Sequence, residues 1–132
     1  MSVNYPKEIE VKTGIESCGG SAELYQNVVD VFVQEGRKKL PLIKQNYKAE
    51  NWTDYIIAVH GLKSSAASIG AIDLSAHAKE MEFAGKDNNI QLIHEKTDAL
   101  LQEYVQLLQK VTIFMSETPK EVLIAFFEEY CD

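Results

Sequence analysis

Three histidines, His60, His77 and His94, are the side chains of this sequence best suited to nucleophilic or proton-transfer chemistry. A neutral imidazole with one bare ring nitrogen is a nucleophile near neutral pH, so its surroundings decide what it can do. His60 sits inside a helical pattern in which Trp52, Tyr55, Val59, Leu62, Ala66 and Ile69 recur at three- and four-residue steps. At about 100° per residue, those apolar side chains lie roughly 80° to 180° to one side of it. The imidazole therefore leaves the flank of the core stripe, towards solvent or a groove edge. Within about 60° of it stand Thr53, Ile56, Ile57, Lys63, Ser64 and Ala67. A solvated face is normally rich in Glu, Lys and Gln, whereas this one is small or apolar with a single lysine one turn after the histidine. Short side chains let another protein come close, and Ile56 or Ile57 can supply apolar contact. Lys63 can pair with an anion held at the imidazole. A histidine that only fills a helix flank is the alternative reading at this point.

A second helix must return alongside the first to complete such a site. Gly70 ends the His60 pattern with a residue that tolerates the left-handed conformation, and His60 is ten residues before it, about 15 Å from the turn. Glu82, twelve residues after Gly70, returns to roughly that level, with Lys86 one turn beyond. A carboxylate there can accept a hydrogen bond from Nδ1–H, which fixes the tautomer and leaves Nε2 as the nucleophile. Glu82 as an ordinary solvated helix residue is the competing reading. His77 borders a Leu74–Met81 face beside Glu80 and reads as structural, and His94, next to Ile93, reads as solvated. A metal-binding bundle would present Glu-x-x-His pairs on facing helices, and only the reverse order, His77 before Glu80, occurs, so no metal site is expected.

The elements that position these residues all read as helical, since no period-two alternation persists. Ser21 is an N-cap residue opening a helix through Leu24, Tyr25, Val28, Val29 and Phe32 to about Gln34. Gly36 and Pro41 interrupt or bend it, and Leu40, Ile43 and Tyr47 carry a second segment. Asn51 with Asp54 resembles a capping pair for a helix over 52–69. Another spans about Ile72 to Lys86, and the Asp87-Asn88-Asn89 turn leads into a seam of Ile90, Ile93, Thr97, Leu100, Tyr104, Leu107 and Val111. Thr118-Pro119-Lys120-Glu121 then combines an N-cap, a proline at the first helical position and a glutamate at the third. The apolar stripe after it, Val122, Leu123, Phe126, Phe127 and Tyr130, predicts a short helix folded back on the bundle or an exposed docking helix. The expected fold is all-α: an up-and-down bundle with an additional N-terminal helical segment and a short C-terminal helix. Residues 1–13 read as an extended lead-in or linker, 14–112 as the bundle, and 113–132 as a tail bearing the short amphipathic helix.

Composition narrows the function. A chain of 132 residues with 45% hydrophobic and 25% charged residues suits one globular domain with its own core. The net charge of −7 argues against nucleic acid, and the one basic cluster, Arg37-Lys38-Lys39, reads as a solvated helix end. Met1 to Pro6 is polar with no apolar signal region, and no apolar run approaches the roughly 20 residues needed to cross a membrane. Cys18 and Cys131 form no framework, so a reducing cytoplasm and no membrane contact are expected.

The run His60-Gly61-Leu62-Lys63-Ser64-Ser65-Ala66-Ala67-Ser68-Ile69-Gly70-Ala71 closely resembles the signature of histidine-phosphotransfer (HPt) domains, H-x-L-K-[GS]-S-small-x-x-apolar-G-A. The resemblance extends through Leu74-Ser75 and Ala78-Lys79-Glu80-Met81-Glu82 and back to Gly19-Gly20. It implies a four-helix bundle with an exposed phospho-accepting histidine, here His60. It further implies that Lys63 assists the phosphoryl group, that Ser64 is the small position permitting close approach, and that Gly70 is the helix-ending glycine. Many relatives have glutamine where Glu82 falls, which places a second negative charge near the phosphate unless Lys63 or Lys86 offsets it. The implied role is a phosphorelay carrier without ATP-binding or kinase activity, exchanging phosphoryl groups with aspartates of response-regulator receiver domains. No cofactor of its own is implied, since the magnesium ion belongs to the receiver. A hybrid sensor histidine kinase is a further implied partner or parent chain, and a module that docks partners without taking phosphate is the alternative function.

Overall fold

The computed structural model describes residues 5–131, so the first four residues of the expected lead-in and Asp132 of the tail lie outside it. Six helices follow in order: α1 (Val11–Ser17), α2 (Ala22–Lys48), α3 (Trp52–Ile69), α4 (Ile72–Lys86), α5 (Ile90–Glu117) and α6 (Lys120–Glu128). Helices α2 to α5 close a ring in which each packs on the next and α5 packs back on α2. That is the expected all-α up-and-down bundle. Its interior is lined by Tyr25, Val29 and Ile43 from α2, and by Tyr55, Val59, Leu62 and Ile69 from α3. Met81 from α4 and Ile93, Tyr104 and Val111 from α5 complete it, and all of these are fully buried.

Local signals set most helix ends. Ser21 Oγ accepts from Leu24 N–H at 3.1 Å, Asn51 Oδ1 accepts from Asp54 N–H, and Asn89 Oδ1 accepts from Leu92 N–H. Gly70 adopts φ +86° and closes α3, with Ala71 N–H donating to Ala66 O and Gly70 N–H to Ala67 O. A side chain at Gly70 would also collide with the Glu10 carbonyl, because Glu10 N–H donates to Gly70 O across this turn. The tight α3–α4 hairpin brings the two long rows of α3 and α4 into the most extensive helix pair of the fold.

Three expectations need correction. First, α2 is a single 27-residue helix, not two segments broken at Gly36 and Pro41. Gly36 is buried with Leu108 packed where a Cβ would project, so its small size serves the close approach of α2 to α5. Pro41 lies on the exposed side, where water can satisfy the Arg37 carbonyl that loses its helical donor. Burial of Phe32 and Ile43 on either side carries the helix through both residues. Consequently Arg37, Lys38 and Lys39 lie within the helix and not at its end.

Second, the expected lead-in over residues 1–13 is not extended to its end: α1 begins at Val11. Ile9, Val11 and Ile15 are buried, and α1 packs on α3 and α2. Tyr25 Oη donates to Ile69 O at 2.7 Å, so the 3.0 Å contact between Tyr5 and Tyr25 has Tyr5 as donor and Tyr25 as acceptor. Third, α6 starts one residue later than expected, with Pro119 as the N-cap and no side-chain cap. It folds back on α2 with Leu123 and Phe127 buried, and Phe127 stacks edge-on against Tyr25 and Tyr5.

Because Pro41 costs α2 one backbone hydrogen bond in an exposed interior turn, Pro41→Ala should raise stability by about 1–3 kcal/mol. A thermal melt should show this as a rise in Tm on the order of 5 °C. An unchanged or lowered Tm would mean that the ring relieves some other constraint.

Candidate functional site

His60 projects from the middle of α3 with its side chain 56% exposed, on the flank of the buried stripe. Its neighbours on the outward face follow the helical spacing: Thr53, Ile57, Ser64 and Ala67 are all exposed. Among the described residues Ile57, at 64%, is the most exposed of the large apolar side chains. Ile56 differs from the expected docking role. It is only half-exposed and packs against Gly85 of α4, so it serves the helix interface more than the outer surface.

Across the hairpin, the α3–α4 register brings Glu82 level with His60, and the His60 Nδ1 to Glu82 Oε2 distance is 2.9 Å. Glu82 is 2% exposed, a charge taken almost wholly out of water. Two cations also converge on it. Lys63 Nζ stands 2.7 Å from Oε1, and Lys86 Nζ stands 2.9 Å from Oε2, one turn along α4. Burial pushes the Glu82 carboxyl up, but hydrogen-bonding and charge from Lys63, Lys86 and His60 outweigh it and hold the group down, from its ordinary 4.5 to about 2. Glu82 is therefore ionised at neutral pH and can only accept. In the neutral imidazole the proton then resides on Nδ1, and the lone pair on Nε2 is free. The arrangement provides a nucleophilic nitrogen, a carboxylate to balance positive charge developing on the ring, and two ammonium groups to balance an anion.

The surface around this cluster is apolar at its edges and basic at its centre. Phe83 of α4 is half-exposed, with Lys79 Nζ and Lys86 Nζ over its ring at 5.6 and 5.8 Å from the centroid. Beside His60 an open groove of about 550 Å³ runs between α1, α3 and α4, lined by Lys63, Ser64, Ala67, Ile72, Ser75 and Lys79 among others. Phe83, Lys79 and Ile72 do not stand out in the sequence as site residues. Their i, i+7 and i+11 spacing from Ile72 along α4 marks an exposed mixed stripe that only the hairpin register assigns to the histidine's side.

The other histidines have different partners. His77 Nδ1 lies 2.7 Å from Glu103 Oε1 across the α4–α5 groove. His94 is not simply solvated: its ring packs against Tyr47 at 5.5 Å and edge-on against Trp52 at 5.8 Å, with Glu50 at 3.5 Å. Among the described residues, no group of three or more His, Cys, Asp or Glu side chains is placed to hold a metal ion. Nor is any helix among them long and apolar enough to cross a membrane.

The lowered Glu82 pKa has a testable sign. Its stabilising contribution is fully present above about pH 4.5 and is lost as the pH falls towards 2. Allowing for solvent around His60 and Lys86, Glu82→Gln should cost on the order of 2 kcal/mol at pH 7. Denaturant melts should show most of that difference gone by about pH 2.5. A deficit of equal size at both pH values would rule out the ion cluster as its source.

No curated protein and no solved structure matches the chain. The family model of the Hpt domain matches residues 27–110, well over half of the chain, from within α2 to within α5. The matched span begins after Gly19-Gly20 and leaves out α1 and α6. Hpt domains are phosphocarriers of two-component signalling without kinase activity, and they act with receiver domains. A bundle of four long helices, an exposed histidine on α3 and a family match over the bundle together place this chain in the Hpt domain family.

Proposed function

We propose that the chain is a phosphorelay intermediate that accepts a phosphoryl group on Nε2 of His60 and passes it to an aspartate of a receiver domain. The observation that carries this reading is the exposed imidazole whose Nδ1 is held by the buried Glu82 carboxylate, with two lysines on the same carboxylate. In the accepting step, the Nε2 lone pair attacks the phosphorus of an aspartyl phosphate. The N–P bond forms as the P–O bond to the aspartate breaks, and the aspartate leaves as a carboxylate with the electron pair. The ring gains positive charge while Nδ1 keeps its proton, and the Glu82 carboxylate at 2.9 Å balances that charge. The donating step is the reverse, onto a second aspartate.

Lys63 and Lys86 are already gathered at Glu82 and need only swing their ammonium groups towards the new phosphoryl oxygens. Positioning and charge neutralisation supply most of the acceleration in such transfers. The magnesium ion and the acidic pocket around the reacting aspartate would be the receiver's. Ile57, Ser64 and Ala67, with Phe83 and Ile72, form the apolar and small-residue surface on which a receiver would rest. The site of action would be the cytoplasm, where receivers and the kinases that feed them reside.

The reading is tested by mixing the chain with a receiver domain charged with radiolabelled phosphate. Label should pass to the chain in an acid-labile, alkali-stable form, and His60→Gln should abolish it. Label kept by His60→Gln would overturn the assignment of the acceptor. No labelling by a series of receivers would favour a docking module that takes no phosphate. In the same assay Lys63→Ala should slow transfer by about tenfold or more, and an unchanged rate would remove Lys63 from the transfer step.

A further inference from the structure

Lys39 has no place in the site as described, yet α2 carries it to the edge of that site. Its Nζ stands 4.0 Å from the point where a Cβ on Gly61 would lie. Gly61 follows His60, and its missing side chain lets the lysine rest against the backbone of α3. At about 100° per residue, Gly61 and Lys63 fall on opposite sides of His60. The imidazole therefore stands between Lys39 on the α2 side and Lys63 with Lys86 on the α4 side. Lys39 is half-buried, and among the described residues no carboxylate pairs with it.

Charge around the histidine is thus opposite in sign to the molecule as a whole. Lys39 stands on one side of it and Lys63 and Lys86 on the other, with Lys79 over Phe83 at the rim of the same surface, and Glu82 is the carboxylate in contact with Lys63 and Lys86. Four ammonium groups against one carboxylate leave three positive charges there, on a chain of net charge −7. The outward face of α3, from Thr53 through Ile57 and Ser64 to Ala67, contributes no acid. Such an island attracts an anionic partner face while the rest of the surface repels it, which orients the encounter as well as speeding it.

We propose that Lys39 is a docking residue: it completes the basic ring on the α2 side of His60 and steers the anionic, phosphorylated face of a receiver domain onto the histidine. This rests on the phosphocarrier reading of His60. Lys39 acts before transfer, on the approach of the partner, whereas the lysines at Glu82 act during it.

Two phosphoryl donors separate these roles: phosphoramidate, which needs no protein face, and a purified receiver domain charged with radiolabelled acetyl phosphate. Lys39→Glu should lower kcat/KM from the receiver by about tenfold at low ionic strength, with Lys39→Gln between it and wild type. Above about 0.5 M salt the three should converge to within roughly twofold, and labelling by phosphoramidate should change by no more than about twofold at any salt. Lys120→Glu on α6, an equal change in net charge away from the site, should behave as wild type. An unchanged receiver rate in Lys39→Glu overturns the proposal. An equal loss with both donors also overturns it, by placing Lys39 in the chemistry of His60. If wild type takes label from neither donor, the phosphocarrier reading fails, and this proposal with it.

Discussion

Glu82 can be ionised inside the α3–α4 interface only because three positively disposed groups are brought to it. His60 and Lys63 come from α3 and Lys86 from α4, and each reaches a carboxylate oxygen within 3 Å. A buried carboxylate without partners costs several kcal/mol, so this contact constrains the helix pair as strictly as the apolar packing beneath it. Sliding α4 by one residue against α3 would swing Glu82 by about 100° and leave the charge unpaired. The same constraint that sets the register therefore sets the ring tautomer and gathers the lysines.

The carboxylate gives this site a different electrical balance from one built on an amide. An amide could hold the imidazole but would leave both lysines uncompensated. With Glu82 ionised, the resting cluster is less positive by one charge, and the lysines are held in place before any phosphate arrives. On the proposed acceptor role, a phosphoryl group on His60 would compete with Glu82 for the same ammonium groups. A lysine drawn towards it would weaken its hold on the buried carboxylate, and so would couple that state to the α3–α4 interface. Lys39 and Lys79, which do not share that carboxylate, keep the surroundings positive throughout.

What the sequence made legible was local or followed from one turn. Ser21, Asn51 and Gly70 act within a few residues, so their caps and stop could be read directly. The level of Glu82 follows by counting outward from Gly70, because two straight antiparallel helices share one rise per residue. What stayed hidden depended on distant partners. Gly36 and Pro41 look like breakers, but Leu108 packing on one and solvent beside the other let α2 continue. Helix α1 is too short to show a period, and its order comes from Gly70 and Tyr25, far along the chain. Lys39 meets the histidine's neighbour only through the crossing of α2 over α3, which leaves no mark in the spacing of either.

The continuity of α2 also has a consequence for how the fold opens. Near its start Tyr25 meets Gly14 of α1 and Phe127 of α6, while in the short stretch beyond Pro41 Tyr47 packs on Trp52 of α3 and His94 of α5. At Pro41 the ladder of backbone hydrogen bonds lacks one rung. A helix that is one rod at rest therefore has its weakest rung at Pro41, with the buried Ile43 just beyond it holding the end to the core. Amide protons between Leu42 and Lys48 should exchange through local openings, while those near Tyr25 and Val29 wait for the whole bundle to unfold.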